Sequence, residues 1–299
     1  MLLSYKPTIS SGQNKAIEQI GFFFLRLAAV LVLVILAWTI WYIFSRGLGM
    51  ALTPSYLFDP PQGGRNDQGG ILYPLLGTLY IVGFSVLLAA PVGVFAAIYL
   101  AEFADPKARL IKMARFAIES LAGIPSVIFG LFGLAFFVTF FAFRQSLLAG
   151  AMSVAIMILP FIIRTAEEAI LSIPRSLRDA SLALGADQVQ TILRVVLPSA
   201  MPAITSGIML GIGRAIAESA VLILAAGGNI TSAPRLFSTD FPYILPDSGR
   251  TLAVHLYYQA TSYDNVERAF ATAVVLILII LGVNSFIWFR KPRSLSARK

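Results

Sequence analysis

"RTAEEAILSIPRSLRDASLALGADQVQTILRVVLPSAMPAI" (residues 164–204) interrupts a chain of long apolar runs with a segment in which charges alternate with Leu and Ile. The apolar residues recur at helical spacing, and Pro174, Gly185 and Pro198 mark breaks. The spacing predicts a helix, a turn at Gly185 and a second helix ending near Pro198. Such an amphipathic hairpin has two plain uses: it lies on a membrane surface, or it docks its exposed face into a groove on another protein. No flexible linker separates Arg194 from Pro202, so a push on the hairpin would move the apolar run that follows.

The rest of the chain says what the hairpin is attached to. Of 299 residues 58% are apolar and 13% charged, the composition of an integral membrane protein rather than of a soluble domain. Six apolar runs predict membrane helices near residues 27–45, 74–101, 117–142, 147–163, 202–226 and 270–289. The first lacks an Ala-x-Ala-like end and runs into Trp38, Trp41 and Tyr42, so it reads as a retained span. With the N-terminus inside, sixteen Lys and Arg fall on the cytoplasmic side, among them Lys6, Lys15, Arg26, Lys107, Arg109, Arg115, Arg178 and the tail from Arg290. Six fall outside (Arg46, Arg65, Arg144, Arg235, Arg250, Arg268), and Arg214 lies within a span. This bias predicts both termini in the cytoplasm.

The resulting organisation is a cytoplasmic segment 1–26, a first span 27–45, an outer loop 46–73, a transmembrane domain 74–290 and a basic cytoplasmic tail 291–299. Within the domain, residues 164–200 form the inner hairpin and 229–268 an outer loop. In that loop Leu252, Leu256, Tyr257 and Gln259 fit either a short amphipathic helix at the interface or a loop packing element. The net charge of +8 is spread between spans and forms no basic face for nucleic acid. Cysteine is absent, which excludes disulfides and thiolate sites. His255 is the only histidine and has no acidic cluster beside it, so no metal is expected, and nothing calls for a cofactor.

"GIGRAIAESAVLILAAGG" (211–228) places Arg214 and Glu218 inside an apolar span. A charge at mid-bilayer costs at least about 2.5–3.5 kcal/mol. At a spacing of four the two side chains share a helix face and can form a private ion pair that aids packing. Facing a polar pathway, they would instead contact a passing solute. Arg164, at the inner end of the fourth span, is either a second anion contact or a positive anchor snorkelling to the interface. "GIPS" (123–126) predicts a kink or a polar opening in the third span, and Gly130 and Gly133 suit close helix packing.

"DASLALG" (179–185), followed after nine residues by "VVLP" (195–198), resembles the EAA loop of ABC importer permeases, with Asp179 for Glu, Ser181 for Ala and Val195 for Ile. The resemblance implies that Asp179, Ala180, Gly185, Leu197 and Pro198 belong to a coupling loop seated in an ATP-binding subunit. "PVGVFAAIYLAEFAD" (91–105), "LAGIPSVIFGLFGLAFF" (121–137), "LPFIIRTAEEAI" (159–170) and "LAVHLYYQAT" (252–261) extend the likeness over roughly residues 75–290, to phosphate importer permeases of the PstA type. A sister permease of the same transporter shares an Arg-to-Glu segment; the Leu-Tyr-Tyr residues favour the PstA side. Where the family reads close to Arg-Ala-Ile-Gly-Glu-Thr-Ala-Pro-Leu, this chain has "RAIAESAVL" (214–222), departing at Ala217, Ser219 and Val221.

The resemblance implies an all-α membrane bundle of the type I ABC importer permease class in a bacterial or archaeal inner membrane. Its implied partners are a second homologous permease, two ATP-binding subunits, an extracytoplasmic phosphate-binding protein and the lipid bilayer. It implies a pathway role for Arg214 and Glu218. A guanidinium meets two phosphate oxygens at once, and Glu218 would weaken that hold so the anion can leave. The chain lacks a Gly-x-x-x-x-Gly-Lys-Ser/Thr loop, so ATP hydrolysis is expected of partners and not of this subunit. Alternatives are a permease for sulfate, molybdate or another oxyanion, and a proton-coupled carrier with Glu218 as relay. A membrane hydrolase finds no nucleophile, base and orienter together in the spans.

Overall fold

The computed structural model describes residues 12–62, 69–229, 248–262 and 265–290. Lys6, Arg65, Arg235, the basic tail 291–299 and half of the predicted outer loop 229–268 lie outside the described residues. The described residues are helical, with no strand among them.

The first helix, α1 (Gly12–Ala51), is far longer than the apolar run at 27–45, because no proline interrupts it before Pro54. Its apolar middle is unburied within the chain, as expected of a helix that faces lipid or a partner. Contact comes at its far end, where Gly47 lies against the backbone of Phe270 on α12 (Val266–Arg290) and Tyr42 meets the Phe270 ring edge-on at 5.4 Å. A β-carbon at position 47 would strike that backbone, so glycine sets how closely the two helices approach.

After the short α2 (Pro54–Phe58) comes α3 (Leu72–Ile98), extended by a π-helical turn at Tyr99–Phe103. It packs along α6 (Leu147–Leu171), the central helix, two thirds of whose span is buried. Ile81, Ala89, Met157, Ile158 and Ile162 form the heart of this contact. The fourth span therefore continues eight residues past the predicted end at 163, since Ala166, Ala169 and Ile170 extend the apolar face beyond the charges.

The predicted third span at 117–142 is not one helix. α4 (Arg109–Ala122) and α5 (Ser126–Gly133), with its π-helical extension Leu134–Phe140, meet at 101° around Gly123 to Pro125. Pro125 has no N–H to donate and bars helical geometry at Ile124, and both effects fall at one point. Gly130 and Gly133 lie against Val221, Ser153 and Ala225, as close packing requires. Among the described residues five helices are long and apolar enough to cross a membrane, six when the bent pair is counted as one span.

The hairpin consists of α7 (Arg175–Ala183) and α8 (Gln188–Thr191). No break occurs at Pro198: a π-helical turn at Ile192–Val196 widens the backbone there and leads directly into α9 (Leu197–Ile216), where Pro198 occupies the first turn. Helix therefore runs unbroken from Gln188 to Ile216. The predicted fifth span is instead interrupted at residues 217–219, beyond which α10 (Ala220–Ala225) completes it. Between the described residues 248 and 262, α11 (Leu252–Thr261) is a short helix that buries Leu252, Val254, His255 and Gln259 against the bundle.

Candidate functional site

Arg214 lies in the last turn of α9 and Glu218 within the interruption of the fifth span. α9 closes with Ala217 N–H bonding to Gly213 O (3.3 Å) and Glu218 N–H to Ala215 O (3.4 Å). Ser219, at φ −122°, then leaves helical geometry. The buried Glu218 carboxylate accepts the Val221 N–H at 3.2 Å, satisfying one of the orphan donors that open α10. Four residues of sequence thus do not place the two charges on one helical face. Half-buried Arg214 forms no ion pair with Glu218, and among the described residues it has no hydrogen-bond partner.

The two halves of the span are anchored differently. The C-terminal carbonyls of α10 are held from outside the helix. Gln145 Nε2 donates to Leu224 O (3.1 Å), Ser146 N–H to Ala225 O (3.2 Å) and Ser248 Oγ to Ala226 O (2.9 Å). Arg250 donates twice to Gly228 O (3.0 and 2.7 Å) and lies over the Tyr258 ring at 4.5 Å. α9 has its continuity at the other end, with the hairpin. Its glycines set its depth against α6: Gly207 abuts Thr165, and Gly211 abuts Phe161 and Ile162.

That packing separates Arg164 from Arg214. Position 164 on α6 lies near the level of Gly207 on α9, seven residues or about 10 Å along the helix from Arg214. Arg164 is exposed and pairs with Glu168 (3.0 Å) and Glu119 (3.2 Å). Beside it Arg115 bridges to Glu167 at 2.7 Å and donates to Leu100 O at 2.9 Å. The sequence reading did not find these carboxylate partners; two of the three pairs join residues about fifty positions apart, and only the 164/168 spacing is visible locally.

The hairpin presents Asp179, Ala180 and Gly185 on an exposed surface, with Leu184 90% exposed at the turn. Gly185 adopts φ +88°, a conformation that side chains disfavour, and has open space around it. Asp187 caps α8 in a capping box with Gln190. Ser181, which departs from the EAA pattern, has a use here: its hydroxyl meets that of Thr191 at 2.9 Å and ties the two hairpin helices together. Leu197 packs at the hairpin's root with Ala97, Ala166 and Ala200, while Pro198 begins α9.

At the opposite end, His255 is buried beside Arg250 and Arg268. Burial first, then those two positive charges, pulls its pKa down to about 3. The imidazole is neutral at physiological pH, and its Nε2 lies 3.4 Å from Gln259 Nε2.

Helices of membrane length, one of them interrupted beside Arg214 and continuous with a hairpin outside the bundle, suit a membrane transport permease. The chain belongs to the family "Binding-protein-dependent transport system inner membrane component", whose profile matches residues 89–291. It is 34% identical over 259 residues to "Phosphate transport system permease protein PstA 1" of Mycobacterium tuberculosis (strain CDC 1551 / Oshkosh), covering 85% of this chain and 82% of that one. "Phosphate transport system permease protein PstA" of Haemophilus influenzae is 29% identical, covering 90% and 93%. A chain of the bacterial alginate ABC transporter, solved with its alginate pentasaccharide-bound periplasmic protein, shares the fold at TM-score 0.62 and 17% identity, over 90% of this chain and 94% of that one.

Proposed function

We propose that this chain is a pathway-forming subunit of an ATP-driven phosphate importer, paired with a second permease and served by two ATP-binding subunits and an extracytoplasmic phosphate-binding protein. On this reading both termini face the cytoplasm, which the Lys and Arg bias supports. The phosphate assignment draws on the names of the PstA relatives. The observation that carries the mechanism is the state of Arg214: half-buried, without a carboxylate partner, and on the inner side of an interrupted span. A planar guanidinium in that setting offers charge-assisted bonds to two oxyanion oxygens.

The interruption gives Glu218 its part. α9 continues the hairpin, whereas α10 is tied to the outer scaffold through Gln145, Ser146, Ser248 and Arg250. Movement of residues 164–200 by the ATP-binding subunits turns α9 about residues 217–219 and changes the separation of Arg214 from Glu218. In one position the guanidinium meets the anion; in the other the carboxylate competes for it and the anion leaves. Asp179, Ala180 and Gly185 make the seat for the ATP-binding subunit, and Leu197 and Pro198 join it to the span. Arg164, already held by two carboxylates, acts as an anchor at the inner end and contacts the anion only on exit.

The test is ATP-dependent uptake by the reconstituted complex, comparing phosphate with sulfate. Phosphate uptake at least tenfold faster supports the assignment. Preference for sulfate moves it to another oxyanion, and uptake driven by a proton gradient without ATP overturns it.

A further inference from the structure

Both helices of the hairpin attach to one residue in a different span. From α7, Arg178 donates through Nη2 (2.7 Å) and Nε (3.2 Å) to Oε1 of Glu102, which lies in the π-helical turn closing α3. From α8, Gln188 Nε2 donates to the backbone carbonyl of the same Glu102 at 3.0 Å. The Arg178 guanidinium has further work: Nη2 donates to Ile170 O (3.0 Å), which also accepts the Ile173 N–H, and Nη1 donates to Ile173 O just beyond the end of α6. The side chains of Arg178 and Glu102 are only 18% and 10% exposed, so water screens the pair weakly.

One side chain on the hairpin therefore grips the inner ends of two spans, α3 and α6, neither of which follows the hairpin in sequence. α7 has no buried residue, and a cavity of about 590 Å³ lined by Glu102, Leu171, Asp179 and Thr191 lies beneath it. The chain itself joins the hairpin to α9 without a break and to α6 through residues 172–174, but it makes no such link to α3. With Arg178 in place, displacement of the hairpin also pulls the α3–α6 pair, the core of the bundle.

We infer that Arg178 and Glu102 are the positioning residues that transmit movement of the hairpin into the second and fourth spans, so that ATP hydrolysis and substrate movement stay coupled. The inference rests on the reading of residues 164–200 as the seat of an ATP-binding subunit. Gly185 and Asp179 serve docking, whereas Arg178 faces the bundle and serves transmission. Losing it leaves the subunit docked and hydrolysing ATP while the passage responds weakly.

The experiment uses the reconstituted complex with its binding protein and reads phosphate uptake and ATP hydrolysis in the same vesicles. Glu102→Gln keeps the shape and removes the charge; Arg178→Lys keeps the charge and loses the forked geometry. Expected for Glu102→Gln is hydrolysis within twofold of the unaltered complex with uptake at least tenfold lower. For Arg178→Lys the ratio of uptake to hydrolysis falls at least threefold, and this variant decides the matter if Glu102→Gln fails to assemble. An unchanged ratio in Arg178→Lys, or equal losses of uptake and hydrolysis, overturns the role. A cross-link from Ala180→Cys to the ATP-binding subunit, formed in the otherwise unaltered complex, separates the two ideas. With the cross-link present and the ratio unchanged, only the transmission role falls; without it, the docking reading falls and takes this role with it.

Discussion

Glu218 accepts the backbone N–H of Val221, three residues ahead of it, rather than the guanidinium of Arg214, four residues behind. The carboxylate thus caps α10, while the arginine lies in the last turn of α9. On the proposed mechanism the pair is a junction between two mechanical parts, Glu218 fixed to α10 and Arg214 carried by α9.

Replacing Glu218 separates its two duties. Gln keeps an oxygen acceptor for Val221 N–H and removes the charge, so Glu218→Gln should hold stability within about 0.5 kcal/mol of the parent while lowering both KM and kcat for uptake, because the anion is released less readily. Glu218→Ala also removes the cap and should cost about 1 kcal/mol more. Thermal unfolding in detergent and initial uptake rates check both.

Gly185→Asp should weaken docking of the ATP-binding subunit without disturbing the spans. The residue at φ +88° has open space around it, so the added side chain costs about 1 kcal/mol through backbone strain in the hairpin alone. Co-purification of the ATP-binding subunit should fall at least tenfold while the unfolding midpoint of the isolated permease moves by only a few degrees.

His255 gives a pH prediction with a definite sign. Its folded pKa is lowered to about 3 from the ordinary value near 6.5. The unfolded chain therefore binds a proton that the folded chain refuses between those values. The stability contributed by the neutral buried ring is complete above about pH 6.5 and declines as the pH falls toward 3. His255→Gln should flatten that decline, measured as unfolding midpoint against pH, and leave the pH profile of uptake between 7 and 8 unchanged. A shifted uptake profile would make this ring part of a proton path.

The features visible in the sequence are those encoded locally. The turn at Gly185 and the membrane character of α3, α6 and α12 follow from residues within a few positions of one another. The interruption at 217–219 was hidden because apolar residues continue on both sides of it, and the stop depends on where the Glu218 carboxylate turns. Pro198 signalled a break that the π-helical turn before it absorbs. "GIPS" marked the bend between α4 and α5, but its 101° angle depends on what α5 packs against, namely Val221 and Ser153. Arg178 was passed over beside Asp179 because its partner Glu102 lies 76 residues away.

The most direct measurement is phosphate uptake by the reconstituted complex carrying Arg214→Gln, with ATP hydrolysis and subunit composition read on the same preparation. An anion contact at Arg214 predicts an assembled complex that hydrolyses ATP and takes up phosphate at least a hundredfold more slowly, a loss of about 2.7 kcal/mol in transition-state stabilisation. Uptake within twofold of the unaltered complex would contradict the account.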